Sequence, residues 1–261
     1  MKSTHGFSLV ELSIVLVILG LLTGGILSGQ SLIRAAELRS VSTELAQYHA
    51  AIKTFQDKYF AIPGDFKDAT KFWGKDNAAC TGDTGTAATP GTCNGNGDGN
   101  IAAAASAGAT GERHQFWKQL ALAGLIEGSY SGLSGSTTHH VSAAVNAPKS
   151  KIGNGAWGLH SSFTGGGDTE QYAVVYNNYF ILGAATTNNL PYAPLLKPEE
   201  AWNIDTKVDD GRPAYGKIIA RFWNNLCAAA DDGTHANNDL NASYKLSDSA
   251  IRCALYFRDI I

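Results

Sequence analysis

Residues 7–27 read FSLVELSIVLVILGLLTGGIL, a run of 21 residues in which Glu11 is the only charged side chain. As an α-helix, which rises about 1.5 Å per residue, the run would be about 31 Å long. That length is close to the thickness of the hydrocarbon layer of a bilayer, about 30 Å. The run therefore predicts a helix that can span a membrane.

The sequence around this run differs from an ordinary secretory signal. In such a signal a small-residue cleavage site follows the apolar core, so that cleavage removes the core. Here the leader is the hexapeptide MKSTHG, Gly6 precedes the core, and no such site follows Leu22. Cleavage after Gly6 would therefore retain the whole apolar helix.

Glu11 is costly in such a helix, because a carboxylate at mid-membrane costs about 2.5–3.5 kcal/mol, and less near an end. Cleavage after Gly6 would create a free amine on Phe7, one helical turn before Glu11. The carboxylate can pair with this amine in its own chain or in a neighbouring copy, where the pair would fix the register of packed helices. The alternative is that Glu11 extends to the lipid headgroups.

The heptapeptide GFSLVEL at residues 6–12, with its short basic leader and long apolar helix, resembles the prepilin signal of type IV pilins and type II secretion pseudopilins. The resemblance implies that a prepilin peptidase cuts between Gly6 and Phe7 and methylates the new amine of Phe7. It also implies that Glu11 serves in methylation and in the recruitment of subunits. Many pilins have a proline in the second half of this helix, whereas this chain has Ser28 near that point, with glycines around it.

The same resemblance implies where the protein works and with what. It implies a single-pass protein of the bacterial cytoplasmic membrane, with its head outside the cytoplasm, that later enters a pilus or a periplasmic pseudopilus. The implied partners are the prepilin peptidase, other pilin or pseudopilin subunits, and the assembly platform of the inner membrane.

A second helical segment follows the apolar run. Its apolar positions are spaced by three and four residues in alternation, which places them on one helical face: Leu38, Val41, Leu45, Tyr48, Ile52, Phe55 and Tyr59. The polar residues between them, including Glu44, are expected to face solvent. We predict one continuous helix of about 80 Å, from Phe7 to the stop at Pro63-Gly64-Asp65, whose second half packs on a globular domain. A coiled-coil dimer is the alternative explanation of the stripe.

The pattern predicts an α+β, pilin-like fold, in which the long helix packs on a loop-rich head with an antiparallel sheet. The expected divisions are a leader at 1–6, a transmembrane and assembly helix at 7–29, an amphipathic helix at 30–62 and a head at 63–261. Short aromatic or β-branched runs predict strands at 156–163, 171–182, 217–222 and 254–260. Further helices are expected at 112–126 and from Pro198 onward.

The four cysteines form two local pairs, Cys80 with Cys93 and Cys227 with Cys253. An even number of cysteines in such pairs favours two disulfides and an oxidising compartment. Neither pair has the spacing of a zinc site. Free buried thiols are the alternative.

The segment from Asn94 to Ile101 resembles a calcium loop, since oxygen-bearing residues alternate and glycine stands at the sixth place. Its predicted ligands are Asn94, Asn96, Asp98 and Asn100, with Glu112 closing the site because the twelfth place holds Ala105. The alternative is a metal-free loop of turn-forming residues. A second acidic group contains Asp209 and Asp210, which we expect to lie in a turn between a helix and a strand, with metal ligation as a minor alternative. Calcium is thus a candidate ligand, and no cofactor is required.

Composition and motifs do not suggest an enzyme or a nucleic-acid partner. The net charge is −3 and only 16% of residues are charged, so no basic surface is predicted. The GxGxxG match at 153–158 lacks a following helix, and His139-His140 lacks the spacing of a zinc protease. We expect a structural subunit of a pilus or pseudopilus, and the large loop-rich head favours a minor or prepilin-like one. The alternative is a membrane-anchored surface adhesin or binding module, with or without calcium, that does not polymerise.

Overall fold

The computed structural model of the 261-residue chain describes residues 8–76, 80, 83, 86–161, 163–165, 170–221, 226–229, 239–259 and 261. One long helix is followed by a head that contains an antiparallel sheet, so the predicted α+β, pilin-like architecture is confirmed. The helices are α1 (Leu9–Tyr59), α2 (Ala69–Trp73), α3 (Glu112–Leu122) and α4 (Pro198–Val208). The strands are β1 (Gly155–His160), β2 (Phe163–Thr164), β3 (Val175–Tyr176), β4 (Tyr179–Ala184), β5 (Ile218–Arg221), β6 (Ala228–Ala229), β7 (Ser243–Tyr244) and β8 (Ala254–Phe257).

The first helix is continuous over 51 residues, as the sequence predicted, but it ends earlier than expected. Phe60 adopts the left-handed conformation, with φ of 53°, and its N–H donates to the carbonyl of Gln56. The predicted end at Pro63 is therefore wrong by about three residues. Proline disfavours a helical conformation in the residue before it, Ile62, so the chain leaves the helix ahead of the proline. Phe7, the predicted first residue, lies outside the described part of the chain.

The apolar face of the second half of α1 packs on the head, as predicted. Five of the stripe's residues have 8% or less of their surface exposed: Val41, Leu45, Tyr48, Ile52 and Phe55. Leu38 and Tyr59, at the two ends of the stripe, are partly buried against the same core. The stripe is thus explained by packing within one chain rather than by a coiled coil.

The main sheet has four antiparallel strands in the order β1-β4-β8-β5. Three of the four predicted strand regions match single strands of this sheet within a few residues. The predicted strand 171–182 is wrong as one element, because β3 and β4 are separated at Asn177-Asn178. Asn178 turns to the loop before α3, where its side chain accepts from the N–H of Ile101 (3.0 Å) and donates to the carbonyl of Gly99 (2.7 Å).

Helix α3 begins at Glu112 as predicted but ends at Leu122 instead of residue 126. Gly124 has φ of 71°, a conformation that glycine adopts without strain. The N–H of Leu125 then donates to the carbonyl of Leu120 at 3.0 Å, in the manner of a helix stop that ends in a left-handed glycine. Helix α4 opens at Pro198 as predicted, and Gly211 beyond its end has φ of 74°.

The core lies between the buried face of α1, α3 and the sheet. The ring of Tyr48 meets Trp117, Trp157 and Phe180 edge-on, with centroids 5.1, 5.4 and 5.9 Å away. Trp117 also stacks on Phe180 at 5.2 Å. Such edge-to-face and offset contacts add to the free energy of apolar burial. The helix is therefore an integral part of the core of the head.

Both predicted disulfides are present in the structure. Cys80 bonds to Cys93 and Cys227 bonds to Cys253, which leaves no free cysteine. The first bridge closes the loop before the predicted calcium segment, and the second ties the chain after β5 to β8.

Candidate functional site

The first half of α1 projects from the head with its apolar side chains uncovered. Every large apolar residue from Leu9 to Ile33 has at least half of its surface exposed, from 50% at Ile18 to 84% at Leu9. By length and composition, α1 could cross a membrane, and the most hydrophobic part of the helix is not buried in the protein at all. Full burial of such a side chain contributes about 1.5–3 kcal/mol, and in water each of these forgoes at least half of it, so this surface requires a lipid or protein environment.

Glu11 caps its own helix. Its Oε2 accepts from the N–H of Ser8 at 2.8 Å, while the Oγ of Ser8 accepts from the N–H of Val10 at 3.3 Å. This arrangement is a capping box, which satisfies backbone donors at the start of a helix. The cleavage site predicted between Gly6 and Phe7 lies outside the described residues, and so does the amine predicted to pair with Glu11.

The exposed half of α1 remains helical through its four glycines: Gly20, Gly24, Gly25 and Gly29. A Cβ added at any of the four would meet no atom within 4 Å. Glycine lowers helix stability by about 1 kcal/mol relative to alanine. In return it leaves places on the surface where the backbone of another helix can approach closely.

A group of salt bridges lies where α1 meets the head. The guanidinium of Arg34 donates from Nε and Nη2 to the two carboxylate oxygens of Glu200 on α4, each at 2.7 Å. Its Nη1 also donates to Glu37 at 3.0 Å. Burial raises the pKa of Glu200, but the bonds from Arg34 and from the N–H of Lys197 outweigh it and leave that pKa below its usual value. A partly buried, bidentate pair of this kind fixes geometry as well as adding stability.

The prediction that Glu44 faces solvent is wrong. Glu44 is only 5% exposed, and it accepts from the indole Nε1 of Trp157 at 2.6 Å, the hydroxyl of Ser150 at 3.0 Å and the N–H of Lys151 at 3.1 Å. Its spacing could have revealed this, since it lies three residues after Val41 and four before Tyr48 on the buried face. Its carboxylate joins α1 to the start of the sheet.

Three carboxylates converge at the predicted calcium loop. Oxygen atoms of Asp65, Asp98 and Glu112 lie within 4.8 Å of one another. Asp98 and Glu112 are two of the ligands predicted from the sequence, and the structure brings them together. Asp65 was missed because it belongs to a different turn, next to the Pro63-Gly64 helix stop, and lies far from Asp98 in the sequence.

Backbone N–H groups hold these carboxylates in place. Glu112 accepts from Asn96 (2.9 Å) and Ala102 (2.7 Å), while Asp65 accepts from Gly99 (2.8 Å) and from Gly97. Burial raises the pKa of Glu112, and the nearby acids raise it further, although the two backbone bonds oppose this. Converging carboxylate oxygens are the donors that calcium takes, so the residues present fit that ion. Calcium binding at this loop stays a prediction.

The side chains of two predicted ligands, Asn94 and Asn96, have hydrogen-bond partners in the described structure. Oδ1 of Asn94 accepts from the N–H of Thr70 at 2.9 Å, and Oδ1 of Asn96 accepts from the N–H of Asp98 at 2.8 Å. The N–H of Asn100 donates to Asp98 at 2.8 Å. These bonds are typical of side chains that stabilise turns, which is the metal-free alternative for this segment.

The second acidic group lies at the turn between α4 and β5, as expected. Asp209 accepts from the N–H of Ile218 at 2.9 Å and from the N–H of Lys217. Asp205, one turn earlier, is fully buried and accepts from the hydroxyl of Tyr244 at 2.8 Å. Burial raises the pKa of Asp205 to about 7, despite the hydrogen bond from Tyr244.

The GxGxxG match at 153–158 leads into strand β1 rather than a helix. A dinucleotide site requires a strand, a glycine turn and then a helix whose N-terminus holds the phosphates. The match is therefore accidental, as the sequence analysis inferred.

Comparison with known protein families identifies the N-terminal segment. Residues 1–27 match the prokaryotic N-terminal methylation motif, which is the signal of type IV pilins and pseudopilins. The match supports a pilin-like or pseudopilin substrate of a prepilin peptidase, and together with the apolar helix it fits anchoring in a membrane. No curated protein and no solved structure matches the chain.

Proposed function

We propose that the chain is a structural subunit, minor or prepilin-like, of a type IV pilus or a type II secretion pseudopilus. The observation that carries the proposal is that most of the bare apolar half of α1 lies within the match to the methylation motif at residues 1–27. In this proposal residues 1–6 are removed as a leader and Phe7 becomes the methylated N-terminus. Residues 7–29 then form the membrane and assembly helix, 30–62 its amphipathic continuation, and 63–261 the head.

The physical reasoning concerns where the bare helix can reside. Before assembly the bilayer surrounds the bare half of α1. The head then lies outside the cytoplasm, where both disulfides can form. When the helix leaves the membrane, the apolar helices of other pilin or pseudopilin subunits can cover it. The new amine at Phe7 is then matched by the carboxylate of Glu11, in the same chain or a neighbouring one.

Processing can be tested directly on protein purified from a cell that contains a prepilin peptidase. Mass spectrometry of the intact protein and N-terminal sequencing should show a chain that starts at Phe7 and carries one added methyl group. A chain that retains Met1, or one that starts after residue 22, would refute the proposal.

Assembly can be tested through Glu11. Glu11→Ala removes both the charge and the helix cap, whereas Glu11→Gln retains an oxygen for the cap and removes only the charge. Both variants should fold normally in the head and fail to enter filaments, measured by shearing and electron microscopy. Glu127→Ala, which removes one exposed carboxylate from the head, is the matched control and should assemble.

The same experiment separates this function from that of a permanently anchored adhesin. An anchor that never polymerises should tolerate loss of the Glu11 charge, with unchanged membrane insertion and surface display. Because Glu11→Gln retains an acceptor for the cap, its failure to assemble would show that assembly needs the charge of Glu11.

A further inference from the structure

Arg113, the second residue of α3, differs from the other buried basic residues that the structure describes. Lys118 contacts Asp76 at 2.7 Å, and Arg221 contacts Glu170. Arg113 is 4% exposed, yet no carboxylate in the described part of the chain lies within 4.0 Å of it. A buried charge without an opposite charge is strongly unfavourable.

Within the described structure, the partners of the Arg113 guanidinium are all neutral. Nη1 lies 2.8 Å from Nδ1 of His139, Nη2 donates to the hydroxyl of Ser161 at 2.8 Å, and Nε donates to the carbonyl of Ile101 at 3.4 Å. Nη2 also lies 3.4 Å from Nδ1 of His160, but that nitrogen is 2.9 Å from the carbonyl of Ser161, to which it donates.

The two histidines add no negative charge and are themselves kept neutral. Burial and then the charge of Arg113 lower the pKa of both, that of His160 to about 3. Burial also lowers the pKa of Arg113. The adjacent acid, Glu112, points into the loop at Asn96 and Ala102 and is unavailable to the guanidinium. The N-terminal end of α3 adds a partial positive charge nearby.

The cluster can be reached from solvent at one edge. Arg113 is buried, but His139 and Ser161, which accept its hydrogen bonds, are each partly exposed. A solute that arrives at this edge meets the ring of His139 and the hydroxyl of Ser161, and the planar fork of Arg113 N–H donors lies directly behind them. Such a fork matches two oxygens of a carboxylate or phosphate group.

We propose that Arg113 and Ser161 form a binding site for an oxyanion group, which displaces His139 as the acceptor of Nη1 and supplies the missing negative charge. The source of the group is either a carboxylate or a phosphate, and these share the same two-oxygen chemistry. The site is independent of polymerisation, because it lies on the head and uses no residue of the apolar helix.

The test uses the full-length protein in a neutral detergent. Thermal unfolding is followed by the fluorescence of the buried indoles of Trp117 and Trp157. Acetate, phosphate and sulfate are titrated against chloride at constant ionic strength. We expect one class of oxyanion to raise the unfolding midpoint saturably by about 3–6 °C. A larger effect of acetate identifies a carboxylate ligand, and a larger effect of phosphate or sulfate identifies a tetrahedral one.

Three variants make the result specific. Arg113→Met should abolish the rise in the unfolding midpoint, and Ser161→Ala should reduce it. The serine variant still tests the proposal if Arg113→Met does not fold. His139→Ala should strengthen the response, because it removes the competing acceptor. Lys149→Ala, which removes an exposed cation elsewhere on the head, is the control and should respond like the parent protein. The proposal is overturned if no oxyanion exceeds chloride, or if these variants respond like the control.

Discussion

Replacing Glu44 with alanine tests whether α1 is fastened to the head by a buried carboxylate. Glu44 accepts three hydrogen bonds, from Trp157, Ser150 and Lys151, and the first two of these residues are almost fully buried. A hydrogen bond to a charged group contributes about 1.5–3 kcal/mol, and a buried donor left without an acceptor costs about 1–3 kcal/mol. These terms are not additive, so we expect a loss of about 3–4 kcal/mol in the free energy of unfolding.

Water limits the size of this effect. A surface groove beside Glu44 is lined by Gln47, Tyr130 and Lys149, and water entering from it can reach part of the space left by the carboxylate. For this reason we expect the free energy of unfolding to fall by less than the sum of the three hydrogen bonds. The expected loss corresponds to a fall of about 6–16 °C in the unfolding midpoint of a domain of this size.

The assay is urea unfolding of the full-length protein in detergent, followed by tryptophan fluorescence. Glu44→Gln should lose less than the alanine variant, since an amide oxygen still accepts from the indole of Trp157. Gln47→Ala, on the exposed side of the same helix, should change stability by no more than about 0.5 kcal/mol. If Glu44→Ala loses no more than Gln47→Ala, the carboxylate does not fasten the helix and the reasoning fails.

Two further predictions concern the other buried acids. Asp205 keeps its proton up to about pH 7 in the folded state, whereas it loses the proton near pH 4 in the unfolded chain. The contribution of Asp205 to the free energy of unfolding is therefore complete below pH 4 and is lost as the pH rises to 7. The free energy of unfolding of the head should therefore fall by on the order of 2–4 kcal/mol between pH 4 and 8. In urea unfolding at a series of pH values, Asp205→Asn should remove this fall, and a variant with the same pH dependence as the parent protein would contradict the prediction. Calcium should raise the unfolding midpoint of chelator-treated protein and release heat in isothermal titration, and Glu112→Gln should remove both effects. If the parent protein shows neither heat nor a shift, the loop is a metal-free turn.

The sequence predicted the long helix well because its signal is local and repeated. Spacings of three and four residues recur from Leu38 to Tyr59, and the structure buries the same face. The exception, Glu44, was assigned by residue type although its position in the repeat placed it on that face. Charge alone was therefore a weaker guide to burial than helical spacing.

The head was predicted less completely because its signals are not local. The strand expected at 171–182 is interrupted because the side chain of Asn178 bonds to backbone groups of a distant loop. Asp65 joins Asp98 and Glu112 only because the turn after α1 folds back against that loop. No periodicity in the sequence reports such a meeting, whereas the two disulfides could be inferred from the pairing of the cysteines along the chain.

The two anchors of α1 determine where the helix can still change shape. Arg34 is held to Glu200 by two hydrogen bonds, and Glu44 is held to β1 and the loop before it by three, so from Arg34 onward the helix turns only with the head. Before Arg34 the helix has no such bonds to the head in the described structure, and Gly20 and its neighbouring glycines lower its helical stability. Any bending that membrane exit or packing requires should therefore be confined to the segment before Arg34. The orientation of the head relative to the second half of α1 would then be set by folding, before any other copy is met.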